Sequence, residues 1–175
     1  MSYHIHIYNV GKKPDTAFHV LTSDIKMDKL YLLNNDKEEY VEVEKQIRET
    51  FAKTNVDEVV TIAIDPFDYH DVYEKVLEIH KTESQLHDDP RFHINFTMGT
   101  GIVVGAVCSA AYEIGADLYY IKESCYSESG KDELIRVEIE KTDEIFELRK
   151  KKQTLETILK KQFNKILSFA EKDKD

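Results

Sequence analysis

HINFTMGTGIVVGA, residues 93–106, passes from β-type residues into a glycine turn and then into small apolar residues without a charge. The run predicts a strand over 92–96 and a helix over 100–114. Thr97-Met98-Gly99-Thr100-Gly101 forms the bend between them. A helix that begins directly after such a bend points unpaired backbone N–H groups and its positive dipole end at whatever lies above. That geometry suits an anion. The turn carries no charge of its own, so it would hold phosphate or sugar through dipoles. Thr97 and Thr100 add hydroxyls and Asn95 an amide.

Outward from this stretch, strands alternate with helices. Residues 3–10 are β-branched and aromatic, and 11–15 (GKKPD) form a turn into a short helix. KLYLL at 29–33 and EVVTIAI at 58–64 are further strands. Between them, Tyr40, Val43, Ile47 and Phe51 recur at helical spacing over 37–53. A helix over 68–81 follows Asp65-Pro66, and a polar loop over 84–91 leads to the strand at 92–96. Residues 118–121 make a fifth strand. LIRVEI at 134–139 alternates as a half-exposed edge strand does, and 143–172 is helical again. The expectation is an α/β fold: a Rossmann-like, mostly parallel sheet of about six strands flanked by helices, with a long C-terminal helix. Residues 1–142 would form the main domain and 143–175 an amphipathic basic helix, in which Leu159, Phe163, Ile166 and Ala170 share one side.

In a doubly wound sheet, ligands sit beyond the carboxyl ends of the strands where strand order reverses. With the order 3-2-1-4-5, the loops after the first and fourth strands face each other. The candidate ligand residues are therefore Gly11, Lys12, Lys13 and Asp15 on one loop, and Asn95, Thr97, Met98, Gly99, Thr100 and Gly101 on the other. Lys12 and Lys13 bring ammonium groups to an otherwise acidic chain of net charge −10. The glycines also admit a plainer reading, close packing of helix on sheet. A dinucleotide fingerprint is excluded, because that motif follows the first strand and these glycines follow the fourth.

Composition closes several classes. With 41% hydrophobic and 33% charged residues, the chain can bury a core, so disorder is excluded for most of its length. The apolar run 102–111 is too short to cross a bilayer, so no membrane partner is expected. The start of the chain lacks a secretory pattern, and Cys108 and Cys125 form no spaced pair, so a cytoplasmic location is expected. Residues 149–175 hold nine Lys/Arg against four acids. This tail is either a packed amphipathic helix or the start of a DNA-binding segment. One helix falls short of a winged helix, so direct DNA binding is not expected of this chain. His4 and His6 share a strand face and are candidate metal ligands, but no third ligand is placed by sequence; His70, His87 and His93 read as scattered. No metal site, cofactor or catalytic residue is assigned. Asp68 reads as a helix N-cap.

Asn95-Phe96-Thr97-Met98-Gly99-Thr100-Gly101 resembles the N-x-T-x-G-T-K signature of CRISPR-associated Rossmann-fold sensor domains, called CARF domains. KLYLLNN at 29–35, Asp65-Pro66-Phe67-Asp68 and GADLYY at 115–120 fall in a similar order, so the resemblance spans roughly residues 3–140. The layout is also similar to the amino-terminal half of archaeal regulators that join such a domain to a winged helix. The resemblance implies a homodimer that cradles a cyclic oligoadenylate second messenger in an antiviral response. Two alternatives come with it. One is a metal-independent ring nuclease that cleaves the messenger; the other is a transcriptional regulator lacking its DNA-binding domain. The family's basic residue after Gly-Thr is Gly101 here, and Lys12 or Lys13 would have to replace its contact to phosphate.

Overall fold

The computed structural model describes residues 2–22 and 25–137. The chain divides into a unit of residues 1–139 and a second of 140–175. The second unit, with the expected C-terminal helix and its basic stripe, lies outside the described residues.

Six strands form one sheet in the order β3-β2-β1-β4-β5-β6. They are β1 (Tyr3–Asn9), β2 (Lys29–Asn34), β3 (Glu58–Ala63), β4 (Pro90–Asn95), β5 (Asp117–Lys122) and β6 (Glu133–Val137). The first five are parallel, and β6 pairs antiparallel with β5 at the edge. The expected reversal between the first and fourth strands is therefore present. Residues 138 and 139 of the predicted edge strand lie outside the described residues.

The helices are α1 (Asp15–Phe18), α2 (Glu38–Phe51), α3 (Tyr69–Leu86) and α4 (Gly101–Ile114). Alternation along β1 explains how they cover the sheet. Ile5 and Ile7 pack with Val72 and Val76 of α3 and with Val103, Ala106 and Val107 of α4. Tyr8, pointing the other way, packs with Val43, Ile47 and Phe51 of α2. β1, β2 and β4 are largely buried; β2 reads as an apolar run for that reason, whereas β1 and β4 also bury the polar residues His6, Asn9, His93 and Asn95. No helix among the described residues is long and apolar enough to cross a membrane.

α3 runs a turn further than the sequence predicts. Residues 84–86 are polar or end in Leu86, and they read as loop. The cause lies in Glu83, which is fully buried yet accepts a hydrogen bond from the Tyr31 hydroxyl and pairs with Lys29 at 3.0 Å. A buried carboxylate needs such partners, and they lock the last turn onto the sheet. Opposing effects act on Lys29. Burial works against its charge, but the bonds to Glu58 and Glu83 dominate and raise its pKa.

Candidate functional site

The turns after β1, β2, β3 and β4 surround a cavity of about 270 Å³ at the carboxyl edge of the sheet. Each turn contributes to the lining: Asn9 to Lys12 after β1, Asn35 and Lys37 after β2, Pro66 and Phe67 after β3, and Met98 to Thr100 after β4. Tyr40 of α2 and Val103 of α4 complete it with the apolar strand ends.

The β1 and β4 turns touch. Asn9 Nδ2 donates to the Met98 carbonyl at 3.2 Å. A β-carbon on Gly11 would stand 2.9 Å from Met98 Cβ, closer than real β-carbons come, so glycine is what lets the turns meet. Gly99 has φ of 121°, a conformation L side chains rarely adopt, and a β-carbon there would sit 3.0 Å from Val103 Cγ1. Thr100 then caps α4: its Oγ1 accepts from the Val103 amide at 3.2 Å and donates to the Pro66 carbonyl at 2.7 Å. One hydroxyl thus starts the helix and ties the glycine turn to the β3 turn.

The β3 turn is braced from its other side. Asp65 Oδ1 accepts from the Phe67 amide at 2.9 Å. Asp68 caps α3 by accepting from the His70 and Asp71 amides, as the sequence predicts. Asp71 Oδ2 accepts from the Asp65 amide at 2.8 Å, and its other oxygen pairs with Lys75 at 2.8 Å. Partial burial works against the Asp71 charge. The Lys75 and Asp65 hydrogen bonds win and hold the carboxyl below its ordinary pKa.

The polar groups on the cavity suit phosphate and sugar. Lys12 and Lys37 are cations, with Lys12 at 4.0 Å from Glu39 on the exposed rim. Asn9 is 2% exposed, and its Oδ1 has no hydrogen-bond partner. A buried amide oxygen left unpaired is costly, and it belongs to a side chain lining the cavity.

Of the sequence-predicted ligand residues, Gly11, Lys12, Met98, Gly99 and Thr100 line the cavity. Lys13 and Asp15 are exposed beside it, Asp15 as the first residue of α1. Asn95 and Thr97 act within the protein: Asn95 Oδ1 accepts from the Thr97 amide, and Thr97 Oγ1 accepts from the Ile121 amide, both at 2.8 Å. Gly101 opens α4 with no atom within 4 Å of where its β-carbon would be. Sequence reasoning chose its ligand residues from only two turns and so did not select Asn9, Asn35, Lys37, Tyr40 and Phe67, which also line the cavity. The available signal was topological: in a parallel sheet every turn after a strand opens on the same edge.

His4 and His6 share a strand face, and His93 joins them from β4. His4 Nδ1 and His93 Nε2 share a hydrogen bond of 3.0 Å, and the His6 and His93 rings stack at 4.6 Å. His6 Nε2 donates to the Lys26 carbonyl at 2.9 Å, which fixes the neutral tautomer with the proton on Nε2. Burial lowers the His6 pKa to about 3, reinforced by His93. Burial likewise lowers His93 to about 4, against an upward pull from Asp117. Among the described residues, no group of three or more His, Cys, Asp or Glu is arranged to hold a metal ion.

The family model described as "HFX_2341_N:-like, N-terminal" matches residues 4–126. The chain belongs to this family of CARF-type domains. No curated protein matches it. Solved structures similar to this CARF-type domain include Can2 from Sulfobacillus thermosulfidooxidans in complex with cyclic tetra-adenylate. That match has 15% identity and a TM-score of 0.59, and covers 75% of this chain and 36% of that one. Csm6 from Enterococcus italicus, bound to cyclic hexa-2'-fluoro-hexa-dAMP, is similar at 10% identity and a TM-score of 0.62, with 79% of this chain and 43% of that one covered. Protein VC1899 from Vibrio cholerae is similar at 9% identity and a TM-score of 0.59, with coverage of 77% and 36%. The chain thus spans less than half the length of these proteins, and the likeness is one of fold.

Proposed function

We propose that this CARF-type domain is a sensor that binds a cyclic oligoadenylate across a homodimer. The observation that carries the reading is the cavity at the β1/β4 switch point, where the Gly11 and Met98–Thr100 turns meet beside the α4 N-terminus. Backbone donors, two ammonium groups and an unpaired amide oxygen are the groups that phosphodiesters and ribose hydroxyls require. The complexes of Can2 and Csm6 with cyclic oligoadenylates support the choice of ligand. Sensing is favoured over cleavage because the cavity lining, among the described residues, holds no imidazole or carboxylate to move a proton.

The dimer reading draws on α4. Its outward side exposes Ile102, Gly105, Ser109 and Tyr112. Two copies packed along this side would bring their α4 N-termini, and so their two cavities, close together. A ring with internal symmetry would then meet a symmetric seat.

The test is direct. Mass spectrometry of the purified protein should find co-bound cyclic oligoadenylate, and cyclic tetra- or hexa-adenylate should raise the melting temperature while remaining intact. Linear products would make the protein a ring nuclease. No shift and no bound nucleotide would end the reading.

A further inference from the structure

Phe67 stands out on this surface. It is 66% exposed, lines the cavity and belongs to none of the packed apolar clusters. A phenylalanine this exposed gains little from burial in the free protein, yet its turn is firmly held. The Phe67 amide donates to Asp65, the Asp68 amide donates to the Asp65 carbonyl at 3.1 Å, and the Pro66 carbonyl accepts from Thr100. The ring is therefore presented by a backbone pinned to both α3 and α4. Facing it is Lys37 Nζ, 6.0 Å from the ring centroid, at the outer limit of a cation–π contact. Lys37 is itself exposed, so its ammonium is free to move away from the ring.

Resting on the nucleotide reading above, we infer that Phe67 is the base-stacking platform of this site and sets its preference for nucleotides over bare phosphates. The geometry divides the cavity in two. The glycine turn and the α4 N-terminus receive a phosphate, and the β3 turn receives the base. A base sliding over the ring displaces Lys37 from its loose position and leaves the ammonium free to pair with the neighbouring phosphate. Stacking discriminates little between bases because every base has a π-face, so Phe67 selects for a base as such.

The chain contains ten tyrosines but no tryptophan, so Phe67→Trp introduces a single indole at this spot, which is excited selectively near the red edge of its absorption. The experiment titrates cyclic tetra-adenylate, cyclic hexa-adenylate and pyrophosphate into the wild type, Phe67→Ala and Phe67→Trp. Phe67→Ala should weaken oligoadenylate binding on the order of ten- to a hundredfold while leaving the melting temperature of the free protein unchanged. Phe67→Trp should restore binding, and its emission should be quenched by oligoadenylate but not by pyrophosphate. If the wild type binds oligoadenylate and Phe67→Ala binds it equally well, or the indole emission does not respond, the platform is overturned and the nucleotide reading stands. If the wild type binds neither oligoadenylate, both fall together.

Discussion

Gly11 and Met98 interlock across the switch point: a β-carbon at Gly11 would lie 2.9 Å from Met98 Cβ and 3.0 Å from its Cγ. The contact joins the turn after β1 to the turn after β4, and both residues line the cavity. Gly11→Ala should therefore push Met98 aside, at a cost of about 1–3 kcal/mol, and weaken ligand binding. Met98→Gly in the same chain, which removes the β-carbon as well, should relieve the clash. A double-mutant cycle read by urea denaturation and by ligand affinity checks the pair; additive losses would mean that the two residues do not act together.

Gly101 offers a gain of function. It opens α4, and a side chain there would point into open space. Gly101→Lys should strengthen oligoadenylate binding by roughly ten- to a hundredfold, the worth of a hydrogen bond to a charged group. A cation at a helix N-terminus opposes the dipole by about 0.3–1 kcal/mol, so the free protein should melt slightly lower. Titration at two salt concentrations checks both, since the added contact is ionic.

Thr100 makes two bonds with one hydroxyl. Thr100→Ala should cost about 1 kcal/mol through the lost cap, and further affinity as the β3 turn comes free of α4. Thr100→Ser keeps both bonds and should behave as wild type. Thermal melts and ligand titration of the two variants decide.

The buried histidines predict an acid-sensitive fold. The pKa values of His6 and His93 fall in the folded protein to about 3 and about 4. The unfolded chain, with ordinary values near 6.5, therefore binds more protons between those limits. Stability is fully present above about pH 6.5 and declines as the pH falls toward 4. Each histidine should account for roughly 2 kcal/mol between pH 7.5 and pH 5. His93→Gln should flatten that slope, as measured by urea denaturation across the range.

Much of the fold was legible in the sequence because short β-type segments alternate with helical periodicity, and the strand residues Ile5, Ile7, Leu32 and Ile94 are indeed buried. Asp68 declared its cap by position. The end of α3 was hidden, because Glu83 looks like a solvated residue until Lys29 and Tyr31 are seen beside it. The His4–His6–His93 cluster was half legible: period-two spacing gave the first pair, whereas His93 arrives from a strand some ninety positions away in the chain. At the site, Gly11 and Gly99 signalled themselves by residue type. Lys37 and Phe67 did not, since a lysine before a helix and a phenylalanine after a proline are ordinary until topology gathers their turns.

The four turns around the cavity come from well-separated parts of the chain, and none carries the packing of Ile5, Ile7 or Ile94. Exchanges at their exposed positions, such as Lys12, Lys37 and Phe67, therefore leave the packing of the sheet untouched. Under the proposed sensor function, such a domain is equipped to follow a changing chemical signal through small local edits.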